Sequence, residues 1–416
     1  MEPIFARYNF GDIVLTDEER ASHVYIIGRS GTGKSTVAYN MALADILTIN
    51  EDTGCPRGVA VVDPHGDLID QLIDTIPPWR TNDVVVIDAA DRVSAVGFNP
   101  VANVAVHDRH LAAAGIVEAF KALFAHSWSS RIESFFYNGV RLLLDTDEPT
   151  LYDLPRIYDD PDFRAAAVAQ ATDPSIIRFW TSDYPSYPER YREEAAGPVK
   201  QRLGQAISSP PVRGILCQRR PRFDLATGLE RGQIVFLKLS QIGRQPANLL
   251  GSLFISHLQQ CAMRRPMGAR SPFSLIIDEF ERFGSEVFCD LMAEARKYGL
   301  MVTAAHQHTA QLSDTVRASM LSAGTVICFR LSASDAEMLS LDFAPLPPEE
   351  LADQGKAKAW IKRGFFRTHV AIDTMPLQPA YADRTTTLLE QSRRAWARNR
   401  SNIDQSFLIS ARRARR

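Results

Sequence analysis

The stretch Gly28-Arg29-Ser30-Gly31-Thr32-Gly33-Lys34-Ser35-Thr36 constrains this chain more than any other. It fits G-x-x-x-x-G-K-[ST] and lies between an apolar β-branched run at 23–27 and a helical pattern at 34–47, the context a phosphate-binding loop requires. Glycines at 28, 31 and 33 let successive backbone N–H groups turn inward around phosphate oxygens. Lys34 supplies positive charge for β- and γ-phosphates, and Ser35 carries a hydroxyl suited to magnesium. The helix that follows points its positive end at the same spot.

The surrounding pattern agrees. Runs at 58–62 and 84–87 read as strands, with a helical segment at 67–75 between them. Short apolar runs alternating with helical spacing indicate a parallel sheet covered on both faces. The pattern changes near residue 107. From there to about 232 the spacing is mostly helical, at 110–125 and 132–144 above all, interrupted by the Pro- and Tyr-rich piece 184–188. Alternation then resumes, with strands expected at 234–239, 273–277, 300–304 and 325–329 and helices at 248–263, 286–297 and 334–341. A final hairpin is expected from 357–361 and 365–372. The expected fold class is α/β: a mainly parallel core at 23–106 and 233–380, an all-α insertion at 107–232, a short segment at 1–22, and a tail at 381–416 read as a frayed helix or disordered.

A phosphate loop needs an acidic partner. Three apolar runs end in aspartate, at Asp63, Asp88 and Asp278, and only the last is followed by a second acid, Glu279. Asp278 suits the metal shell and Glu279 the general base that polarises water. Gln307, just past the 300–304 strand, is placed to sense a γ-phosphate or orient water. Arg296 and Arg330 are alternative candidates for a residue reaching a neighbouring subunit's nucleotide. The turn Asp63-Pro64-His65-Gly66-Asp67 is unusual, and Asp67 is read there as a helix cap. No second histidine lies at metal-ligand spacing.

Composition narrows the setting. Five scattered cysteines, none in C-x-x-C, suit a reducing, cytoplasmic compartment. No stretch approaches the run of about 18 apolar residues that a membrane helix needs. The formal net charge is -2, with 47 basic and 49 acidic residues. Residues 384–416 hold nine arginines against Glu390 and Asp404, so this segment is +7 and the remainder -9. Nucleic-acid contact therefore has to be local rather than a bulk attraction. Two stretches are candidates: Arg213, Arg219, Arg220 and Arg222; and Trp180 with Tyr184, Tyr187, Arg190, Tyr191 and Arg192. A solvated face with buried rings is the competing account of each.

Taken in order, these motifs resemble the HerA/FtsK superfamily of ring-forming DNA-pumping ATPases, and within it the TraG/TraD-like coupling proteins of conjugation and type IV secretion. The residues that carry the likeness are 23–28 running into the phosphate loop, Val62 to Asp67, Gly97-Phe98-Asn99-Pro100 and Ile277-Asp278-Glu279-Phe280. Ala295-Arg296-Lys297-Tyr298-Gly299-Leu300 with His306-Gln307, and Phe329-Arg330-Leu331-Ser332, complete it. The likeness spans about 20–345. It implies a RecA-like core, ATP and Mg2+ as ligands, hydrolysis carried by Lys34, Asp278, Glu279 and Gln307, and Arg296 ahead of Arg330 as the arginine acting in trans. It also implies DNA as the track, with single- and double-stranded forms left open, and a homo-hexamer. A relaxase, nuclease or secretion-system component is the implied partner. Coupling proteins usually carry N-terminal membrane helices, whereas about 22 residues precede the first strand here, so the chain reads as a soluble relative without an integral membrane segment. Two other functions share the motifs: a motor whose cargo is protein, and an ATP-gated scaffold for a secretion or defence assembly.

Overall fold

In a computed structural model of the chain, the alternating runs become neighbours in one sheet. The structure describes residues 6–8, 11–50, 54–266, 271–283, 286–364, 369–379 and 384–413. In chain order the strands are β1 (Ala6–Tyr8), β2 (Gly11–Ile13), β3 (Val24–Ile27), β4 (Gly58–Asp63), β5 (Val84–Asp88) and β6 (Ser94–Val96). They continue with β7 (Ile234–Lys238), β8 (Phe273–Ile277), β9 (Leu300–His306), β10 (Thr325–Cys328), β11 (Lys358–Arg363), β12 (His369–Thr374) and β13 (Ala397–Asn399). Eleven of them form one sheet in the order β2-β1-β12-β11-β10-β3-β9-β8-β4-β7-β5.

From β10 through β3, β9, β8 and β4 to β7 the pairing is parallel. Burial explains why these strands read as continuous apolar runs. Every residue of β3, β4, β8 and β9 is buried, as expected of parallel strands covered by helices on both faces. Beyond β10 the sheet turns antiparallel through β11, β12, β1 and β2. The expected hairpin is therefore present as β11 and β12, and the part of it expected at 365–368 lies outside the described residues.

The contacts divide the chain into two compact units. The first comprises residues 1–86, 225–240 and 261–392 and holds the bulk of the sheet. Its core packs the Lys34–Leu47 helix, through Val37, Met41 and Ile46, with Val24, Ile26, Val59 and Val61. The second comprises 87–224, 241–260 and 393–416. It is mostly helical and is centred on Arg109–Leu123, Ser130–Leu143 and Glu189–Ser208. The second unit begins earlier than the expected insertion and takes in the end of the chain, because β6 pairs with β13.

The C-terminal segment is neither frayed nor disordered through its described residues. It forms helix Thr385–Trp396, β13 and helix Arg400–Arg413. Its charges find partners: Arg393 pairs with Asp91 at 2.7 Å, Arg398 donates to the Arg220 carbonyl at 2.9 Å, and Asp404 pairs with Arg213 at 3.1 Å. No helix among the described residues is long and apolar enough to cross a membrane.

Candidate nucleotide site

Parallel register delivers the site. In the order β3-β9-β8-β4, the strands end side by side, since Ile27 pairs with His306, Ile277 with Ala304 and Val62 with Ile277. The residues just past those ends therefore sit in a row at the carboxyl edge of the sheet, where ligands of such sheets bind. They are Gly28, Gln307, Asp278-Glu279 and the Asp63-to-Asp67 turn. Asp63, His65, Asp67, Asp278, Glu279 and Gln307 line a cleft of about 410 Å³ together with Ser30, Gly31, Gly33, Lys34, Ser35, Thr36 and Lys356.

The phosphate loop is tightly built. Gly33 caps the helix at φ +127, and a Cβ there would lie 2.8 Å from the Phe329 ring. A Cβ at Gly28 would come within 2.5 Å of Phe329 Cβ, so both positions exclude a side chain. Arg29 N–H donates to the Arg330 carbonyl at 2.9 Å, tying the loop to the end of β10. Thr32 Oγ1 donates to the Arg29 carbonyl at 2.7 Å. Lys34 is buried, and its Nζ donates to the Gly28 and Arg29 carbonyls at 2.6 and 3.0 Å. Burial lowers the Lys34 pKa, against the upward pull of Asp278, Glu279 and Glu281.

Opposite it stands the acidic pair. Ser35 Oγ donates to Asp278 Oδ2 at 3.3 Å. The Asp278 carboxyl is pushed up to about 6, first by burial and then by the charges of Asp63 and Glu279, with Lys34 pulling the other way. Glu281 next door is pushed up to about 7 by burial, with Glu279 and Asp278 adding to it. An acidic group crowded and desolvated in this way is relieved by a cation. Among the described residues no group of three or more His, Cys, Asp or Glu is arranged to hold a metal. A hydroxyl and one carboxylate beside a phosphate loop nevertheless fit magnesium, which keeps waters and takes further ligands from phosphates.

Glu279 adopts φ +47, a left-handed conformation that non-glycine residues rarely occupy. Its side chain is held from three sides. His65 Nε2 approaches Oε2 at 3.0 Å, Arg282 Nη1 donates to Oε2 at 3.3 Å, and Gln307 Nε2 donates to Oε1 at 2.9 Å. Gln307, expected from its place after β9, thus meets Glu279 directly.

Arg296 and Arg330 stand apart from this cleft. Arg296 is half exposed and bonds Ser22 Oγ at 3.2 Å; Arg330 pairs with Asp353 at 3.3 Å. Neither lines the cleft of its own chain. The reading of Asp67 as helix cap is corrected. The cap of helix Asp67–Ile73 is Gly66, and Asp67 is its first residue. The carboxylate that secures the turn is Asp63, which accepts from His65 N–H at 2.9 Å and Ile69 N–H at 3.1 Å. A strand-end aspartate followed by Pro and Gly can bond its own turn, and that signal was present in the sequence. The contacts of His65 and Arg282, and the place of Lys356, were not.

In the helical unit the aromatic candidates are mostly interior. Trp180 and Tyr184 are buried and Trp180 Nε1 donates to the Asn138 carbonyl at 3.2 Å. Arg131 lies over the Tyr191 ring at 4.5 Å. Arg219 pairs with Asp153 at 2.8 Å, and Arg220 pairs with Glu148. A groove of about 740 Å³ runs beside Val117, Trp128 and Tyr137. It exceeds the nucleotide cleft in volume, but its Lys121 already pairs with Glu118 and Glu133 at 3.2 and 3.5 Å.

The family model of the type IV secretion-system coupling protein DNA-binding domain matches residues 7–323. Among solved structures, the bacterial conjugative coupling protein TrwBdeltaN70, in its unbound monoclinic form, superposes with a TM-score of 0.65 at 16% identity, covering 91% of this chain and 90% of that one. The plasmid coupling protein TrwB in complex with ADP and Mg2+ gives 0.65 at 16% identity, covering 90% of each chain. VirB4 of Thermoanaerobacter pseudethanolicus gives 0.59 at 12% identity, covering 92% of this chain and 97% of that one. At these identities the likeness is one of fold. A comparison with curated proteins returns no match.

Proposed function

The chain belongs to the family of type IV secretion-system coupling protein DNA-binding domains, and from that premise we propose that it is an ATP-hydrolysing motor that moves DNA. The observation that supports this best is the convergence of Lys34, Ser35, Asp278, Glu279 and Gln307 on one cleft from three separate strand ends. Such a set holds a nucleoside triphosphate and activates water, and a binding scaffold has no use for the base.

Each residue has a role in that reading. Backbone N–H groups of residues 28–36 cradle the phosphates, and Lys34 turns from its own carbonyls to neutralise their oxygens. Ser35 and Asp278 would hold Mg2+, which supplies charge neutralisation at the phosphates. Gln307 orients the attacking water, and Glu279 accepts its proton as the water oxygen bonds to the γ-phosphorus and the bond to the β–γ bridging oxygen breaks. ADP and inorganic phosphate leave, and Glu279 returns its proton to solvent. Arg296, with Arg330 second, acts on the nucleotide of a neighbouring copy in a ring of six around DNA. The helical segment at 107–232 meets the DNA or the protein that delivers it, and the core at 23–106 and 233–380 carries the ATP cycle.

The test is steady-state ATP hydrolysis with and without single- and double-stranded DNA, using Lys34→Ala as the blank. The expected result is hydrolysis stimulated by one strand form and absent from the blank. Hydrolysis indifferent to both forms of DNA would overturn the DNA-motor reading.

A further inference from the structure

His65 is left over when the roles above are assigned. It sits on the turn after β4, its side chain 56% exposed, with Nε2 3.0 Å from the carboxylate of Glu279, which is only 16% exposed. We propose that His65 is a positioning residue for the hydrolytic base: it fixes which oxygen of Glu279 takes the proton. The inference rests on the reading of Glu279 as that base and adds to it a residue outside the phosphate loop and the acidic pair.

The turn that carries His65 is rigid for reasons its sequence supplies. Pro64 restricts the backbone, and the Asp63 carboxylate bonds the N–H groups of His65 and Ile69. Gly66 adopts φ +91, and a Cβ there would lie 2.5 Å from Lys238 Cε. Lys238 is itself held by Asp70 at 2.6 Å. Because β4 and β8 pair in parallel with Val62 opposite Ile277, this turn is brought beside the Asp278-Glu279 step. Asp278 N–H donates to the Val62 carbonyl at 3.1 Å and extends that alignment past the strand end.

The consequence follows from the neighbours of each carboxylate oxygen. A carboxylate oxygen has about two acceptor sites. Oε2 of Glu279 accepts from Arg282 and has the His65 imidazole against it at 3.0 Å, so its open sides are taken. Among the described residues Oε1 meets only Gln307, and it keeps a site for a proton. The clamp therefore selects Oε1, the oxygen beside the side chain that orients water. Without His65, one side of Oε2 is open. The three-torsion side chain, already on a left-handed backbone, can then swing away from the water. A displacement of about 1 Å in such a group costs up to about a hundredfold in rate.

The experiment measures kcat for ATP at saturating DNA and, separately, the affinity for ADP, in the full chain. His65→Ala is expected to lower kcat by about ten- to a hundredfold, with ADP affinity kept within about twofold. His65→Gln, whose amide retains a donor, is expected to recover most of the loss. In a Glu279→Gln background, His65→Ala is expected to change nothing further, as residues acting as one unit do. Three results would each overturn the proposal: wild-type turnover in His65→Ala while Glu279→Gln is dead, an equal loss of ADP affinity, or no recovery in His65→Gln. Normal turnover in Glu279→Gln would remove the base itself, and with it both readings.

Discussion

His306 offers a stability prediction whose size follows from its surroundings. It is wholly buried at the end of β9, its ring stacked on Tyr25 at 5.5 Å, with Nδ1 2.9 Å from the Tyr25 hydroxyl. Burial pushes its pKa down to about 4 from the ordinary 6.5, against a smaller upward pull from the His308 backbone and Asp335. A base with a depressed folded pKa contributes stability that is fully present above 6.5 and lost as pH falls toward 4. Between pH 7 and 5 the unfolded imidazole takes up most of a proton while the folded one stays largely neutral. Integrated over that window the loss is about 2 kcal/mol. Asp278 and Glu281, whose folded pKa values are raised, act in the opposite direction, so the wild-type profile alone does not isolate His306. The perturbation is His306→Asn, which removes the titrating nitrogen and leaves a carbonyl oxygen to accept from Tyr25. The assay is urea unfolding of both proteins at pH 7, 6 and 5, in matched salt. The wild type should lose stability relative to the variant by about 2 kcal/mol from pH 7 to 5, every other group cancelling in the difference. Parallel profiles would refute the reasoning.

Further substitutions test the frame and the site. Arg80 is fully buried and donates to the carbonyls of Ile46, Arg57 and Gly232 at 2.9, 3.1 and 2.6 Å while pairing with Asp83 at 2.7 Å. Arg80→Met strands these acceptors and should cost about 3–5 kcal/mol in denaturant unfolding. Gly33→Ala forces a Cβ toward the Phe329 ring at φ +127; nucleotide binding, read by titration with ADP, should be lost while the circular dichroism stays native. Glu279→Gln should retain ATP binding and lower kcat by about 10²–10⁴-fold, measured in single-turnover hydrolysis. Arg296 lies outside the cleft of its own chain. Arg296→Ala and Lys34→Ala, each inactive alone, should therefore recover part of the ATPase activity when mixed, and no recovery would place Arg296 outside the trans role.

Much of the frame was legible because burial leaves a local trace. The expected strands at 23–27, 58–62, 84–87, 234–239, 273–277, 300–304 and 325–329 appear within one or two residues of their observed ends, since a parallel strand covered on both faces has to be apolar throughout. The phosphate loop was legible because its glycines are fixed by chemistry the loop itself performs. The short strands β6 and β13 were not, because three residues leave too little periodicity and their pairing joins positions about 300 apart. The arginine-rich end misled for a related reason. Its arginines look unpaired along the chain, and only the tertiary fold brings Asp91 and the Arg220 carbonyl to them.

The site shows the same division more sharply. Asp278-Glu279 could be chosen among three strand-end aspartates because two adjacent acids are a local signature. The contacts that His65 and Gln307 make with Glu279 follow from register: a parallel sheet aligns the residues past β4, β8 and β9 whatever their separation in sequence. The motif around Asp63 was visible, but a turn aspartate capping a helix is the common outcome of its spacing, and in the structure Asp63 does bond that turn. That bonding and the clamp on Glu279 are one device. A turn locked by its own carboxylate is what lets an exposed imidazole hold a second carboxylate at 3.0 Å. Loosening Asp63 should therefore reach Glu279, the proposed base, through His65, and Asp63→Asn combined with His65→Ala should lower kcat less than the product of the two single effects.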